Sequence, residues 1–405
     1  MLPTMAVFTP RPMQRHITIL SLHLKPPLKP RSPHIPPKTS KAPETGTAHA
    51  VQSDTLSFTT ETFDDPETDK PTEYGRFSRN WEDEEGLDVL LDKLQAGYLS
   101  DKQALTQARK LEATTPYNLE IQNFIGNRLS ALGMDEQAIE VYESAYQRAL
   151  AHIPRGFKGQ ILWGEIENRP FLRLAHGTLL GLMRKRGQLD ADRVKAGQAA
   201  EALANQLLAW CPMDNLGVRY LLGDIALLKG DLKAAMKEYL KEAPNSPANW
   251  YQAALISFRQ EDYVAACTYL RRGIAANPYI AEGLTGRTVL AEHLYWHGSN
   301  VYGPDWAIDY LESAASDWTL EEIDFVDWVF NASPVLKERA QMMALREEIT
   351  YERDGEKRVA IGRRSAALEN RITNTLSKKM VTKVKNPWDE DIWPWDREGF
   401  EGRRH

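Results

Sequence analysis

Two successive segments between Asp214 and Pro278 share one spacing of small and large residues. The shared positions are Gly223, Gly230, Ala235 and Tyr239 in the first segment, and Trp250, Ala254, Tyr263, Ala266, Leu270 and Pro278 in the second. Small residues let paired helices approach closely, and each such pair needs a neighbour to bury its apolar face. The spacing therefore predicts stacked helix-turn-helix units and an all-α fold.

The same spacing occurs earlier, between Asn118 and Pro154. Its members are Ile125, Gly126, Gly133, Ala138, Tyr142 and Ala145. A stretched unit follows from Glu167 to Trp210, and helices are expected at 281–295, 306–318 and 320–329 to close the array. Leucines at 87, 90, 91 and 94 have the spacing of one helical stripe and predict a capping helix pair at the other end. We expect a helical-hairpin solenoid over residues 85–333.

The N-terminal segment, residues 1–84, has a different composition. Up to Pro43 it contains seven basic residues, no acidic residue and several prolines, and residues 61–85 are acidic. Such a composition buries too little apolar surface to offset its conformational entropy, so we expect a disordered arm. Three alternatives stay open: docking of the Pro-rich run at 27–31 on an aromatic groove, organelle targeting, and translation from Met5 or Met13.

The C-terminal part is charged. A helical extension is expected over residues 334–385, broken near Asp354 and Gly355, followed by a Trp-rich tail at 386–405. Residues 357–385 contain nine lysines and arginines and one glutamate. This stretch is interpreted either as a solvated helix face or as a nucleic-acid-binding surface, although few aromatic residues are present for base stacking. Trp388, Trp393 and Trp395 are expected to act as an aromatic anchor, on the protein itself or on a partner.

Bulk properties exclude several classes of protein. The net charge of −6 argues against a protein made mainly to coat nucleic acid. Two cysteines, Cys211 and Cys267, are too few for a disulfide scaffold or a Cys-based zinc site, which makes the cytoplasm the expected location. No apolar run approaches the ~20 residues that span a bilayer, so we expect no membrane span. The oligomeric state stays open.

Residues 118–330 resemble tetratricopeptide repeat proteins. Four short segments are similar to a narrower group, bacterial helical-repeat proteins that resemble the suppressor of tumorigenicity seven family: 167–173, 214–220, 277–280 and 306–318. The resemblance implies a helical solenoid that binds protein or peptide segments, and it supplies no catalytic residue. It predicts a non-catalytic adaptor or scaffold.

In a tetratricopeptide array, the first helix of each hairpin lines a concave groove. Mapped onto this chain, the resemblance predicts a peptide-binding groove formed by Asn123, Phe124, Asn127, Tyr220, Asp224, Tyr251 and Gln252. Asn127 stands where such domains place an amide that holds a peptide backbone. Because Asn123 replaces a clamp lysine, recognition of a C-terminal carboxylate is not expected.

Arg219 stands where a large aromatic is usual between paired helices, so its guanidinium needs a carboxylate partner. Asp214 and Glu167 are the candidates, and Arg169 and Arg173 belong to the neighbouring motif. Two interpretations remain open. The residues form either an internal polar clamp or a pocket for an acidic peptide or phosphate.

His293 and His297 are four residues apart on an expected helix, beside Glu292. The glutamate precedes the first histidine, which is the wrong order for a zinc protease, and we expect core or surface histidines instead of a metal site. The sequence also lacks a nucleophile elbow, a phosphate loop, a dinucleotide fingerprint and a paired-Cys site. No enzymatic activity and no cofactor are therefore expected.

Overall fold

Helical hairpins dominate the computed structural model, which describes residues 56–64, 71–78, 84–184, 190–287 and 289–401. Of the described residues, 69% are helical, which confirms the all-α fold. The helices are α1 (Glu85–Gln95), α2 (Asp101–Thr114), α3 (Leu119–Ala131), α4 (Asp135–Leu150), α5 (Arg169–Arg184), α6 (Asp190–Trp210), α7 (Leu222–Leu228), α8 (Leu232–Glu242), α9 (Pro247–Arg259), α10 (Tyr263–Ala276), α11 (Pro278–Leu284), α12 (Pro304–Ala314), α13 (Leu320–Asn331), α14 (Ser333–Tyr351), α15 (Gly355–Asn370), α16 (Asn374–Met380) and α17 (Arg397–Glu401). The strands are β1 (Phe58–Asp64), β2 (Pro71–Phe77), β3 (Val384–Lys385) and β4 (Asp391–Ile392).

The described residues divide into two units. The N-terminal unit comprises residues 56–178 and the C-terminal unit residues 179–401, so the boundary falls within α5. The Pro-rich segment that ends at Pro43 lies outside the described residues. Among the described helices, none combines the length and the hydrophobicity that crossing a bilayer requires.

Small residues hold the helix pairs together, as the repeat spacing predicts. In the N-terminal unit, a methyl group added to Gly126 or Gly177 would lie 2.4 Å and 2.7 Å from the Tyr142 ring. In the C-terminal unit, one added to Gly223 would lie 2.4 Å from the Tyr239 ring. Each tyrosine therefore packs directly on the backbone of a facing helix, and a larger residue at these glycines would separate the helices.

The turns between paired helices also follow from the sequence. Gly133 and Gly230 end α3 and α7 with φ values of 72° and 78°, in the left-handed region that favours glycine. Ser100 caps α2 in a capping box with Gln103, and the Asp231 side chain accepts the Ala234 N–H at the start of α8.

A two-stranded antiparallel hairpin occupies residues that the sequence suggested were disordered. β1 pairs with β2 from Phe58 opposite Phe77 to Asp64 opposite Pro71. The prediction of a disordered arm is therefore wrong for these two strands. The reason is aromatic packing inside the N-terminal unit, since the Phe77 ring centroid lies 4.8 Å from that of Phe58 and 4.5 Å from that of Phe171.

Helix α10 is the centre of the C-terminal unit. It packs against α9, α11, α13, α14 and α16. Residues 334–385 fold as α14 and α15 with the expected break near Gly355, but they pack on α10 and are not a separate extension. The helix expected at 281–295 was wrong beyond Leu284, because α11 ends there and residues 289–299 are non-helical.

Candidate functional site

Three of the residues predicted to line a peptide groove are buried. Asn123 donates hydrogen bonds to the Leu119 and Pro170 carbonyls at 3.0 Å and 2.9 Å, and Phe124 is also inside the N-terminal unit. Tyr251 is 0% exposed, and its hydroxyl donates to the Asn277 carbonyl at 2.8 Å. The prediction that these side chains face a ligand is wrong, because all three are buried and the polar atoms of Asn123 and Tyr251 bond to backbone carbonyls of the protein itself.

The other four predicted groove residues, Asn127, Tyr220, Asp224 and Gln252, are half-buried. Asn127 accepts a hydrogen bond from the Tyr142 hydroxyl at 2.8 Å, and Asp224 accepts one from Tyr239. The Gln252 amide lies 3.4 Å from the hydroxyl of Tyr310 on α12. The Tyr310 ring of α12 also lies 6.2 Å from that of Tyr251, so this side chain contacts the two predicted groove residues of α9.

Asn168 gives the 167–173 segment a structural role in the N-terminal unit. Its side chain is fully buried, accepts the Phe77 N–H at 3.0 Å and donates to the Gly75 carbonyl at 3.0 Å. Gly75 and Gln160 add a backbone bond of 2.8 Å. One buried amide therefore fastens β2 to the start of α5.

Arg169 and Arg173 both contact the Trp163 side chain. Their guanidinium carbons lie 5.3 Å and 5.7 Å from the centre of the Trp163 ring, which is cation–π geometry. Arg173 also pairs with Glu120, whose second oxygen is buried without a hydrogen-bond partner. Partners within the N-terminal unit thus account for both arginines.

Asp214 and Arg219 pair as expected, within the C-terminal unit. The Arg219 Nε donates to Asp214 Oδ2 at 2.8 Å, and the Asp214 carboxylate also accepts the backbone N–H groups of Val218 and Arg219 at 2.7 Å and 3.0 Å. Asp214 itself adopts a φ of 48°, a conformation that a short hydrogen-bonding side chain tolerates. Glu167, the other candidate, lies in the N-terminal unit beside Arg76 at 3.5 Å. These contacts favour the polar clamp over an anion pocket.

The tail tryptophans have different surroundings. Trp395 is buried among the rings of Phe258, Tyr263, Phe325 and Trp328, with ring centroids 4.7–6.2 Å away. Trp393 stacks on Trp395 at 5.1 Å. Both therefore anchor the tail on its own unit, whereas Trp388 is 56% exposed.

His293 and His297 lie on either side of Tyr279. The His293 backbone N–H donates to the Tyr279 hydroxyl at 2.8 Å, and that hydroxyl lies 2.9 Å from His297 Nε2. Burial lowers the pKa of both imidazoles. In the described part of the chain, no group of three or more His, Cys, Asp or Glu residues is placed to hold a metal ion. The cluster fixes the 289–303 loop onto α11.

A buried arginine that the sequence interpretation missed attaches the basic C-terminal segment. The Arg271 side chain on α10 is 0% exposed and pairs with Glu338 of α14, with Nε to Oε2 at 3.0 Å. Its Nη1 donates at 2.9 Å to the Thr373 carbonyl and at 2.9 Å to Ser377 Oγ. This guanidinium makes four hydrogen bonds that join α10, α14 and the start of α16, so the basic segment is attached to the helices of its unit.

A groove with a volume of about 450 Å³ lies between α14 and α15. Its lining residues are Gln341, Ala344, Leu345, Glu348, Arg364, Ala367, Leu368 and Arg371. Arg364 Nη1 donates to both Glu348 oxygens, at 2.8 Å and 2.9 Å, and bridges the two helices. The sequence signal for the groove was a pair of alanines, Ala344 and Ala367, between charged residues. That signal cannot be read until the helix pairing is known.

The chain was also compared with known proteins. No protein-family model matches it, and no curated protein shows significant similarity. The tetratricopeptide resemblance therefore stays a prediction from the residues, beside the observed helical hairpins.

Proposed function

We propose that this protein is a non-catalytic helical-repeat scaffold that binds an acidic segment of a partner protein in the α14–α15 groove. The observation that carries the proposal is the chemistry of that groove. The exposed Ala344 and Ala367 line it together with the buried Leu345 and Leu368. Its cations are Arg371 and Arg364, and Arg364 is paired with Glu348. Alanine leaves room for a partner's side chain in the groove, while the arginines favour carboxylates beside it.

The charge around the groove supports an acidic partner. Lys357, Arg363, Lys378 and Lys379 are all exposed on α15 and α16. Between residues 357 and 385 one glutamate accompanies nine lysines and arginines. A surface with this imbalance attracts negative charge over roughly a Debye length, about 8–10 Å at physiological salt.

The groove is also preformed, which lowers the entropic cost of binding. Ile361, Leu368 and Ile372 bury one side of the α15 segment against Ala275 and Met342. The Arg271 side chain holds the next helix, α16, through its hydrogen bonds to Thr373 and Ser377. A rigid groove of this kind can bind a segment without refolding.

Two groove variants test the proposal. Ala367→Trp places a large side chain in the groove, and Arg371→Glu reverses the charge of one lining residue. We expect affinity purification with the intact chain to recover acid-rich partner proteins that both variants lose. Lys233→Glu is the matched control, because Lys233 is an exposed residue of α8 and the change reverses one charge in the same way. This variant should retain the acid-rich partners. Recovery of the same partners by all four proteins would contradict the proposal.

A nucleic acid is the second candidate ligand, because the same cations fit a phosphate backbone. Against it, residues 355–380 contain no aromatic residue that could stack on bases. RNA binding should be measured on the intact chain over a series of salt concentrations, with Lys378→Glu/Lys379→Glu beside Ala367→Trp. RNA would be the ligand instead if RNA binding weakens steeply with salt, if Lys378→Glu/Lys379→Glu abolishes that binding, and if Ala367→Trp leaves it unchanged.

A further inference from the structure

Trp388 lies exposed on a turn that is unusually well fixed. Asn386, which is buried, accepts the N–H groups of Trp388 and Glu390 at 3.0 Å and 2.8 Å. Its amide donates to Glu390 Oε2 at 2.9 Å and to the Gly399 carbonyl at 3.0 Å. We refer to residues 386–391 as the Trp388 turn. Its shape is set before any partner arrives.

The Trp388 turn combines an exposed indole with negative charge. Trp388 is 56% exposed, whereas Trp393 and Trp395 in the same tail stack on each other. Carboxylates follow it directly: the side chains of Asp389 and Asp391 are 89% and 61% exposed and share one cation, Lys385, at 3.6 Å and 3.3 Å. The turn therefore carries more negative than positive charge. A rigid, exposed tryptophan loses little entropy on binding and is the residue type most enriched at the centre of interfaces.

We infer that the Trp388 turn of one copy inserts into the α14–α15 groove of a second copy. The inference rests on the proposed function, because the turn has the chemistry that the groove was argued to select. The indole would cover Ala344 and Ala367, and Asp389 and Asp391 would face Arg364 and Arg371. The groove volume, about 450 Å³, leaves room for one indole with its flanking backbone.

The geometry of such a contact is head-to-tail. The turn and the groove are different surfaces of the same C-terminal unit, so one contact leaves a free turn on one copy and a free groove on the other. Contacts of this kind extend into open chains or close into rings. Self-association should therefore increase with concentration, and it should weaken with salt because charges face each other across it.

The test is sedimentation equilibrium of the intact chain at low ionic strength. We expect the weight-average mass to rise above the 46.0 kDa of one chain as concentration increases. Trp388→Ala and Arg371→Glu should each return it to the monomer mass, with thermal unfolding unchanged. An equimolar mixture of the two variants should form dimers and nothing larger, because the Arg371→Glu copy still offers a turn and the Trp388→Ala copy still offers a groove.

Three outcomes would overturn the inference: a wild-type chain that stays at 46.0 kDa, association that both variants retain, or a mixture that stays monomeric. The proposed function is judged separately. If the monomeric chain still captures acid-rich proteins and Ala367→Trp loses them, the groove binds a different partner and only the self-association fails. If neither contact depends on Ala367, both proposals fail.

Discussion

The β1–β2 hairpin and the C-terminal residues 333–401 are both added to helical hairpins, each within its own unit, but they are attached by different interactions. A neutral buried amide, Asn168, and stacked phenylalanine rings hold the hairpin. A buried charged group, Arg271, and an aromatic box around Trp395 hold the C-terminal residues. The difference shows how steeply each attachment should respond to mutation, since an uncompensated buried charge costs more than an unpaired amide.

The largest effect is expected for Arg271→Met. This change leaves Glu338, which is mostly buried, without its cation and removes the donors to Thr373 and Ser377. Breaking a buried pair costs about 3–5 kcal/mol of the free energy of unfolding. Urea unfolding of the variant and of the intact chain measures this loss of stability. The control is Arg364→Met, which breaks an exposed pair with Glu348 and should cost about 1 kcal/mol or less.

The next largest effect is expected for Trp395→Ala. It should lower the free energy of unfolding by about 3 kcal/mol, because a large-to-small change leaves a cavity that the tail can only partly fill by relaxing. The matched control is Trp388→Ala in the same tail, which should change the free energy of unfolding by about 0.5 kcal/mol or less. Equal effects at the two positions would show that Trp395 is not the anchor of the tail.

Asn168→Ala probes the hairpin attachment. It leaves the Phe77 N–H without its side-chain acceptor, which costs about 1–3 kcal/mol. Hydrogen exchange should show lost protection at residues 71–77 and little change at α10. A loss of protection spread evenly over the chain would contradict a local attachment.

The smallest effect concerns pH and the loop over α11. His293 and His297 have lowered pKa values in the folded protein, so the unfolded chain binds more protons below its own histidine pKa, about 6.5. The stabilisation is complete above that pH and is lost as the pH falls from it through the lowered pKa values of the folded protein. Once protonated, His297 can only donate in its contact with the Tyr279 hydroxyl. Charged groups near the two rings are Glu282, Glu292, Arg287, Arg339 and Arg346.

Unfolding between pH 5 and pH 8 checks this sign, with His297→Gln as the comparison. The glutamine amide keeps an uncharged hydrogen-bonding group for the Tyr279 hydroxyl, so the pH dependence should shrink while stability at pH 8 is retained. If stability instead rose as the pH fell from 7 to 5, the assignment of the Tyr279–His297 contact would be wrong.

Much of the helical framework could be predicted from the sequence. The spacing of Gly126 to Tyr142 and of Gly223 to Tyr239 is local, and it determines which helix backbones touch. Attachments between distant segments could not be predicted. Arg271 is read as an ordinary charged residue until Glu338 and Ser377, many residues later, are placed around it. Hairpin periodicity also could not show that Tyr310 of α12 contacts Tyr251 and Gln252 on α9, because that depends on tertiary packing.

The Arg271 contacts have a consequence for the order of folding during synthesis. Its partners Thr373 and Ser377 follow it by 102 and 106 residues. A ribosome adds residues at about 5–20 per second, so α10 must wait roughly 5–20 s before its guanidinium can be covered. During that interval the charge stays hydrated, and burial of this face of α10 is postponed. The central helix of the C-terminal unit is therefore expected to be among the last to reach its final packing.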